Sequence, residues 1–219
     1  MARTFSFAPG EFYHIYNRGT DKRSIFMSHA DRDRFLALLY FANQNEPADL
    51  KLQGSTLLEV VEERTGAPII EIVAYCLMPN HFHLLVREIE EGGVSKFMQK
   101  LMTGYTMYFN KRYERNGSLF QGRFKATHVA DDLYLRYLIS YIHLNPIKLI
   151  EPKWKETGIA DKTHAERYLE TYAYSSYLDY LGKKRPEGMV LSREALPEYS
   201  SSGADFKNFV TEWLTYAPE

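Results

Sequence analysis

Apolar and polar positions follow two different periods along the chain. Alternating or β-rich stretches predict strands at residues 12–19, 69–78 and 81–89, and residues 118–130 read as a loop leading into a fourth strand. Spacing by threes and fours predicts helices at residues 29–44, 92–117 and 131–145. Pro79-Asn80 marks a tight turn between the second and third strands, and Asn116-Gly117 is expected to end the second helix. Residues 57–66 fit a short helix or a strand equally well.

The order strand, helix, strand, strand, helix, strand, helix predicts an α+β fold. An antiparallel sheet with helices on one face is its natural packing. We expect residues 1–150 to form this domain. Residues 151–219 carry short helical pieces and no repeats, so we expect them to be a C-terminal helical extension that packs on the same domain.

Composition excludes few functions, but the charged residues are unevenly distributed along the chain. The 219 residues carry a net charge of −1, yet residues 93–130 hold seven basic residues and one acidic residue, whereas residues 187–219 hold six acidic and two basic. The basic middle of the chain could therefore face the phosphates of a nucleic acid. A helix face that is simply exposed to solvent would show the same excess of basic residues. The single cysteine, Cys76, the lack of a signal-peptide core and the lack of a long apolar run fit a reduced, cytoplasmic protein that does not enter a membrane.

The segment CLMPNHFHLLV, residues 76–86, places two histidines one residue apart. Side chains two apart on a strand share a face, so His81 and His83 would converge while Phe82 is buried behind them. Histidine is a common metal ligand. The pattern alone is equally compatible with a strand face that tolerates histidine.

The predicted helix 131–145 carries a second set of candidate residues. Tyr141 and Asn145 are four apart, so they lie on one helix face. The Asn145 oxygen could complete a two-histidine metal site, with the Tyr141 hydroxyl one turn away, in position to attack a phosphodiester. The alternative is structural, since Asn145 precedes Pro146, where a helix ends, and Tyr141 is one of 17 tyrosines.

Four motifs occur together in the order YCLMPNHFHLLV, GSLFQGRFKA, RYLISYIHLNPIK and YAYSSYLDY. Over about residues 12–180 the chain resembles the single-tyrosine transposases of the HUH nuclease superfamily, and most of all the REP-associated tyrosine transposases. The resemblance implies a ferredoxin-like antiparallel sheet, a Mg²⁺ or Mn²⁺ site at His81 and His83 with Asn145 as third ligand, and Tyr141 as nucleophile. It also implies a bacterial, nucleoid-associated protein that acts as a monomer or a homodimer.

The implied reaction is cleavage and rejoining of single-stranded, hairpin-associated DNA through a 5′-phosphotyrosine intermediate. The expected DNA contacts are basic residues near the first strand and in the middle of the chain: Arg18, Lys22, Arg23, Lys111, Arg112, Arg115, Arg123 and Lys125. His143 is expected at the surface or around the site. Two other functions stay open: a domesticated protein that binds hairpin DNA with little catalysis, and a two-histidine metal hydrolase that uses activated water.

Overall fold

A four-stranded antiparallel sheet forms the centre of the molecule. The computed structural model describes residues 5–45, 66–195 and 202–213. The strands are β1 (Phe12–Arg18), β2 (Ile70–Met78), β3 (His81–Glu88) and β4 (Lys125–His128), in the order β2-β3-β1-β4. All neighbouring strands are antiparallel, so the predicted α+β, ferredoxin-like sheet is confirmed. Most of the ambiguous segment 57–66 lies outside the described residues.

Helices connect and follow the strands. Among the described residues the α-helices are α1 (His29–Ala42), α2 (Gly93–Arg112), α3 (Asp132–Leu144), α4 (Trp154–Thr157), α5 (Lys162–Leu169), α6 (Tyr177–Tyr180) and α7 (Gly203–Glu212). Short 3-10 turns occur at Thr20–Lys22, Asn145–Leu149, Pro186–Val190 and Arg193–Ala195. Helix α2 ends before the predicted stop at Asn116-Gly117, since Glu114 already adopts a positive φ of 49°. None of the described helices has the length and apolar character needed to cross a membrane.

The two faces of the sheet bury separate hydrophobic clusters. On one face, Phe82, Leu84 and Val86 pack with α1 and α2. On the other face, Cys76 and Leu85 pack with α3 and with residues of the extension. The prediction of helices on one face is therefore right for α1 and α2, but α3 lies on the opposite face, because its apolar stripe needs a second surface to cover. Cys76 is buried and free, as expected.

A buried hydrogen-bond chain holds α3 against the edge strand β2. His143 is fully buried, so its expected place at the surface was wrong. Its Nδ1 lies 2.8 Å from the Ile139 carbonyl oxygen and its Nε2 lies 2.7 Å from Ser176 Oγ. The Tyr75 amide of β2 donates to the same Ser176 hydroxyl at 3.0 Å. Ser176 of the extension thus links α3 to the sheet. This link also fixes the position of the side chains on α3.

Asp31 stabilises the start of α1 and joins it to α2. Its carboxylate accepts the Met27 and Ser28 amides at 2.8 and 2.9 Å and completes a capping box with Ser28. The same carboxylate accepts the hydroxyls of Tyr108 and Tyr113 at 3.1 and 2.7 Å. One fully buried side chain therefore satisfies donors from two elements of the first cluster.

Replacing Asp31 with alanine should destabilise the fold strongly. The Asp31→Ala change removes a cap and the shared carboxylate acceptor of the Tyr108 and Tyr113 hydroxyls, a loss of about 3 kcal/mol in the free energy of unfolding. Urea unfolding followed by circular dichroism measures it. Asp33→Ala, at an exposed position of the same helix turn, is the matched control. Equal losses in both variants would contradict the structural role of Asp31.

Candidate active site

The histidine pair stands at the start of β3, near the middle of the sheet. His81 pairs with Arg18 and His83 pairs with Tyr16 across the β1–β3 ladder. The two imidazole rings lie 5.1 Å apart, centroid to centroid, and nearly perpendicular. Phe82 points to the opposite face and is fully buried there. The strand alternation therefore brings both imidazoles to the face that α3 covers, as the sequence predicted.

A fixed amide orients the ring of His81. The Asn80 side chain donates from Nδ2 to the Lys22 carbonyl oxygen at 3.0 Å, so its Oδ1 faces the other way and can only accept. This Oδ1 lies 2.6 Å from His81 Nδ1. Nδ1 must therefore carry the hydrogen, and the lone pair of a neutral His81 is on Nε2. Burial, followed by the charges of Lys148 and Arg18, lowers the pKa of His81 to about 4 and keeps the ring neutral.

A third histidine, His14 of β1, orients His83. Its Nε2 lies 2.8 Å from His83 Nδ1. If His83 Nδ1 donates this hydrogen bond, Nε2 of His83 carries the free lone pair, the same tautomer as in His81. Burial is the main reason why the pKa of His14 falls to about 4 and that of His83 falls well below its ordinary value. Sequence reasoning missed His14, although the alternation of FYHIYNRG places it on the face of Tyr16 and Arg18.

Asn145 and Tyr141 meet this pair from the end of α3. The Tyr141 ring lies 5.4 Å from the His83 ring and 6.1 Å from the His14 ring. Asn145 is fully buried at the first residue of the 3-10 turn after α3, where Pro146 disfavours further α-helix. Its Nδ2 donates to the Tyr141 carbonyl oxygen at 3.0 Å, while its buried Oδ1 has no hydrogen-bond partner among the described residues.

The reactive group of Tyr141 is held in its neutral form. Burial raises the pKa of the Tyr141 phenol, and the nearby Asn145 side chain opposes this effect. Asn145 also raises the pKa of His81 against the stronger effect of burial, so its side chain lies beside both groups. The structure thus brings together all four side chains of the predicted catalytic set: His81, His83, Tyr141 and Asn145.

A cavity of about 320 Å³ opens on this cluster. Its lining combines histidines, tyrosines and one lysine: His14, Tyr16, His83, Thr127, Tyr134, Tyr137, Leu138, Tyr141 and Lys155. Tyr134, Tyr137 and Tyr141 form a row along α3, with successive ring centroids 6.1 and 5.9 Å apart. The row exposes aromatic surface next to the candidate nucleophile.

The predicted DNA contacts divide between the two sides of the sheet. Arg18 and Lys125 share the face of the histidines, because Arg18 pairs with His81 and Lys125 pairs with Tyr16. Lys111, Arg112 and Arg115 line a separate cavity of about 740 Å³ beside α2, whose helix packs on the opposite face. Lys22, Arg23 and Arg123 are exposed in loops. All eight remain predicted contacts, but only Arg18 and Lys125 lie on the face of the candidate active site.

The donor set suits a divalent cation. No group of three histidine, cysteine, aspartate or glutamate side chains converges as a metal site within residues 5–45, 66–195 and 202–213. Two neutral imidazoles and one buried amide oxygen without a hydrogen-bond partner nevertheless form a mixed nitrogen and oxygen set, which accommodates Mg²⁺ and favours Mn²⁺. Each imidazole also has the second hydrogen bond that orients metal-binding histidines in proteins. The residues present therefore fit the predicted ion.

Comparison with known proteins identifies the family of the chain. No curated protein matches the chain. A solved structure of a REP-associated tyrosine transposase bound to a REP hairpin is similar, with 13% sequence identity and a TM-score of 0.48 over 85% of this chain and 89% of that chain. The family model described as "Transposase IS200 like" matches residues 13–145, which is more than half of the sequence and includes Tyr141 and both histidines. The chain therefore belongs to the family of IS200-like transposases, which process DNA.

Proposed function

We propose that the chain cuts and rejoins single-stranded DNA with Tyr141 as nucleophile. The observation that carries this proposal is that Tyr141 lies beside the two histidines and the unpaired Asn145 oxygen, with Tyr141 and His83 both lining one cavity. A tyrosine hydroxyl beside a site for a divalent cation is suited to attack on a phosphodiester. Tyr141 is one helical turn from Asn145, whose side chain lowers the pKa of the Tyr141 phenol against the effect of burial.

The reaction exchanges one phosphate ester for another. Tyr141 Oη attacks the phosphorus, a new P–Oη bond forms, and the bond to the 3′ oxygen of the preceding nucleotide breaks. The phenol loses its proton and the departing oxygen gains one, so the products are a 5′-phosphotyrosine and a free 3′-OH. Attack by a second 3′-OH on the phosphotyrosine reverses the step, joins strands and releases Tyr141.

The surrounding side chains prepare this attack. His81, His83 and Asn145 would hold Mg²⁺ or Mn²⁺, which would act as a Lewis acid on the scissile phosphate and orient it. Asn80 keeps the lone pair of His81 on Nε2, and a hydrogen bond donated by His83 Nδ1 to His14 would do the same for His83. The burial that raises the pKa of Tyr141 also means that its hydroxyl must lose a proton during the attack, and Asn145 eases that loss.

A flexible single strand suits the cavity better than a regular duplex. A single strand can place one phosphate between Tyr141 and the histidines while its bases stack on the tyrosine row of α3. A hairpin next to the cleavage site would present such a strand. Because Tyr141 and both histidines meet within one chain, a monomer is sufficient for this site, and a homodimer would carry two. A DNA substrate places the protein at the bacterial nucleoid.

Removing the Tyr141 hydroxyl should abolish a covalent adduct. The wild-type chain is mixed with Mn²⁺ and end-labelled single-stranded oligonucleotides that carry hairpins, and label that stays on the protein through denaturing electrophoresis is measured. We expect Tyr141→Phe to lower adduct formation by at least about 100-fold, because no other oxygen occupies that position. Tyr137→Phe, one turn earlier on α3, is the matched control and should keep the adduct.

Two results would contradict this proposal and favour a different function. Cleavage that survives Tyr141→Phe would favour a two-histidine hydrolase that uses water. Tight binding of the oligonucleotides without any adduct would favour a domesticated hairpin-binding protein.

The chain should bind Mn²⁺ through the two histidines. We expect calorimetric titration to show one site, which His83→Ala removes. His14→Phe should weaken the affinity by about 10- to 100-fold, because His83 loses the partner that orients it. His164→Ala, at an exposed position outside the cluster, should leave the affinity unchanged. An unchanged affinity in His83→Ala would refute the metal site, and chelation with EDTA should suppress the adduct.

A further inference from the structure

Two lysines reach the candidate active site from beyond the family-matched residues 13–145. Lys155, in α4 of the extension, places its Nζ 3.6 Å from the centroid of the Tyr141 ring. It lines the same cavity as His14 and His83. The amine thus lies on the face of the candidate nucleophile.

Lys148 belongs to the 3-10 turn that starts at Asn145, three residues after that candidate ligand, and its side chain is half-buried. Its charge lowers the pKa of both His81 and His83. Arg18 faces His81 across the β1–β3 ladder and, after burial, is the main cause of the lowered pKa of Lys148. Burial and the charge of Lys148 lower the pKa of Lys155 to about 8. Lys148 is therefore close enough to repel both Arg18 and Lys155.

These cations have no anionic partner in the described part of the chain. None of them forms an ion pair there, and the buried Nε of Arg18 makes no hydrogen bond. Two arginines elsewhere in the molecule are paired with carboxylates: Arg185 binds Asp179 at 2.6 Å and Arg112 lies 3.5 Å from Asp31. Half-buried charges of one sign raise the energy of the free protein, and a bound anion would relieve it.

We propose that Lys155, Lys148 and Arg18 form a phosphate-binding subsite for the scissile DNA strand, so that the C-terminal extension completes the active site. This inference rests on the function proposed above. Lys155 would contact the phosphate that Tyr141 attacks and later carries. Lys148 and Arg18 would contact the neighbouring phosphate on the His81 side. Each lysine neutralises one backbone charge and reads no base, so the subsite serves any sequence.

The first test measures phosphate contacts without chemistry. Binding of a labelled single-stranded oligonucleotide to the full chain is followed at several salt concentrations in EDTA. Each lost phosphate contact should reduce the slope of log Kobs against log salt by about 0.7 for a single strand. We expect this reduction in Lys155→Gln and in Lys148→Gln, and no change in Lys153→Gln, an exposed lysine of the same segment.

The second test measures the rate of adduct formation with Mn²⁺. Lys155→Gln should slow the adduct at least tenfold, Lys155→Arg should recover most of the rate because it keeps the charge, and Lys153→Gln should stay within twofold of wild type. Thermal melting separates this role from a structural one. Because Lys155 adds unpaired charge, Lys155→Gln should melt at the same temperature as wild type or higher. A lysine that merely braces the Tyr141 ring would give the opposite shift.

The outcomes distinguish the subsite from the reaction. Salt slopes and adduct rates of both glutamine variants equal to those of Lys153→Gln would overturn the subsite. A lower melting temperature for Lys155→Gln with an unchanged salt slope would overturn the role of Lys155. If wild type forms no adduct at all, the proposed reaction fails, and the salt slopes in EDTA still decide whether the cations bind phosphate.

Discussion

The register of β1 against β3 is the constraint on which the site depends. It sets Tyr16 opposite His83 and Arg18 opposite His81, and it places His14 within hydrogen-bond distance of His83. A slip by one residue would turn the histidines into the first hydrophobic cluster and Phe82 towards α3. Phe82 and Leu84, both fully buried, oppose such a slip. The apolar side of the sheet thus enforces the geometry of the polar side.

The histidine pair is a buried polar arrangement in which a neighbouring side chain contacts Nδ1 of each ring. The Lys22 carbonyl orients Asn80, Asn80 orients His81, and His14 orients His83. Low pKa values then follow from burial and keep these rings uncharged. Asn145 Oδ1, which has no hydrogen-bond partner in the described part of the chain, lies where α3 ends and the 3-10 turn at Pro146 begins. Local folding and candidate chemistry therefore use the same residues.

The sequence predicted what depends on local periodicity. Strand alternation gave the shared face of His81 and His83, and helical spacing gave the shared face of Tyr141 and Asn145. The sequence did not predict the role of His14, because its partner His83 is 69 residues away and only the strand pairing brings the two side chains together. The position of Lys155 was not predicted either, because its segment has no strong hydrophobic periodicity. The basic residues of α2 were grouped with the site by charge, but the side of the sheet on which a helix packs is a tertiary property.

The position of the extension has a spectroscopic consequence. The chain has two tryptophans, Trp154 and Trp213, and both belong to the extension. The Trp154 ring lies 5.7 Å from the Nζ of Lys155, the amine that covers Tyr141, and the Trp213 ring lies 5.3 Å from the ring of Tyr137. Both indoles therefore border the tyrosine row of α3. Their intrinsic fluorescence reports on this one neighbourhood, so a strand that enters the cavity can be followed in the unlabelled protein.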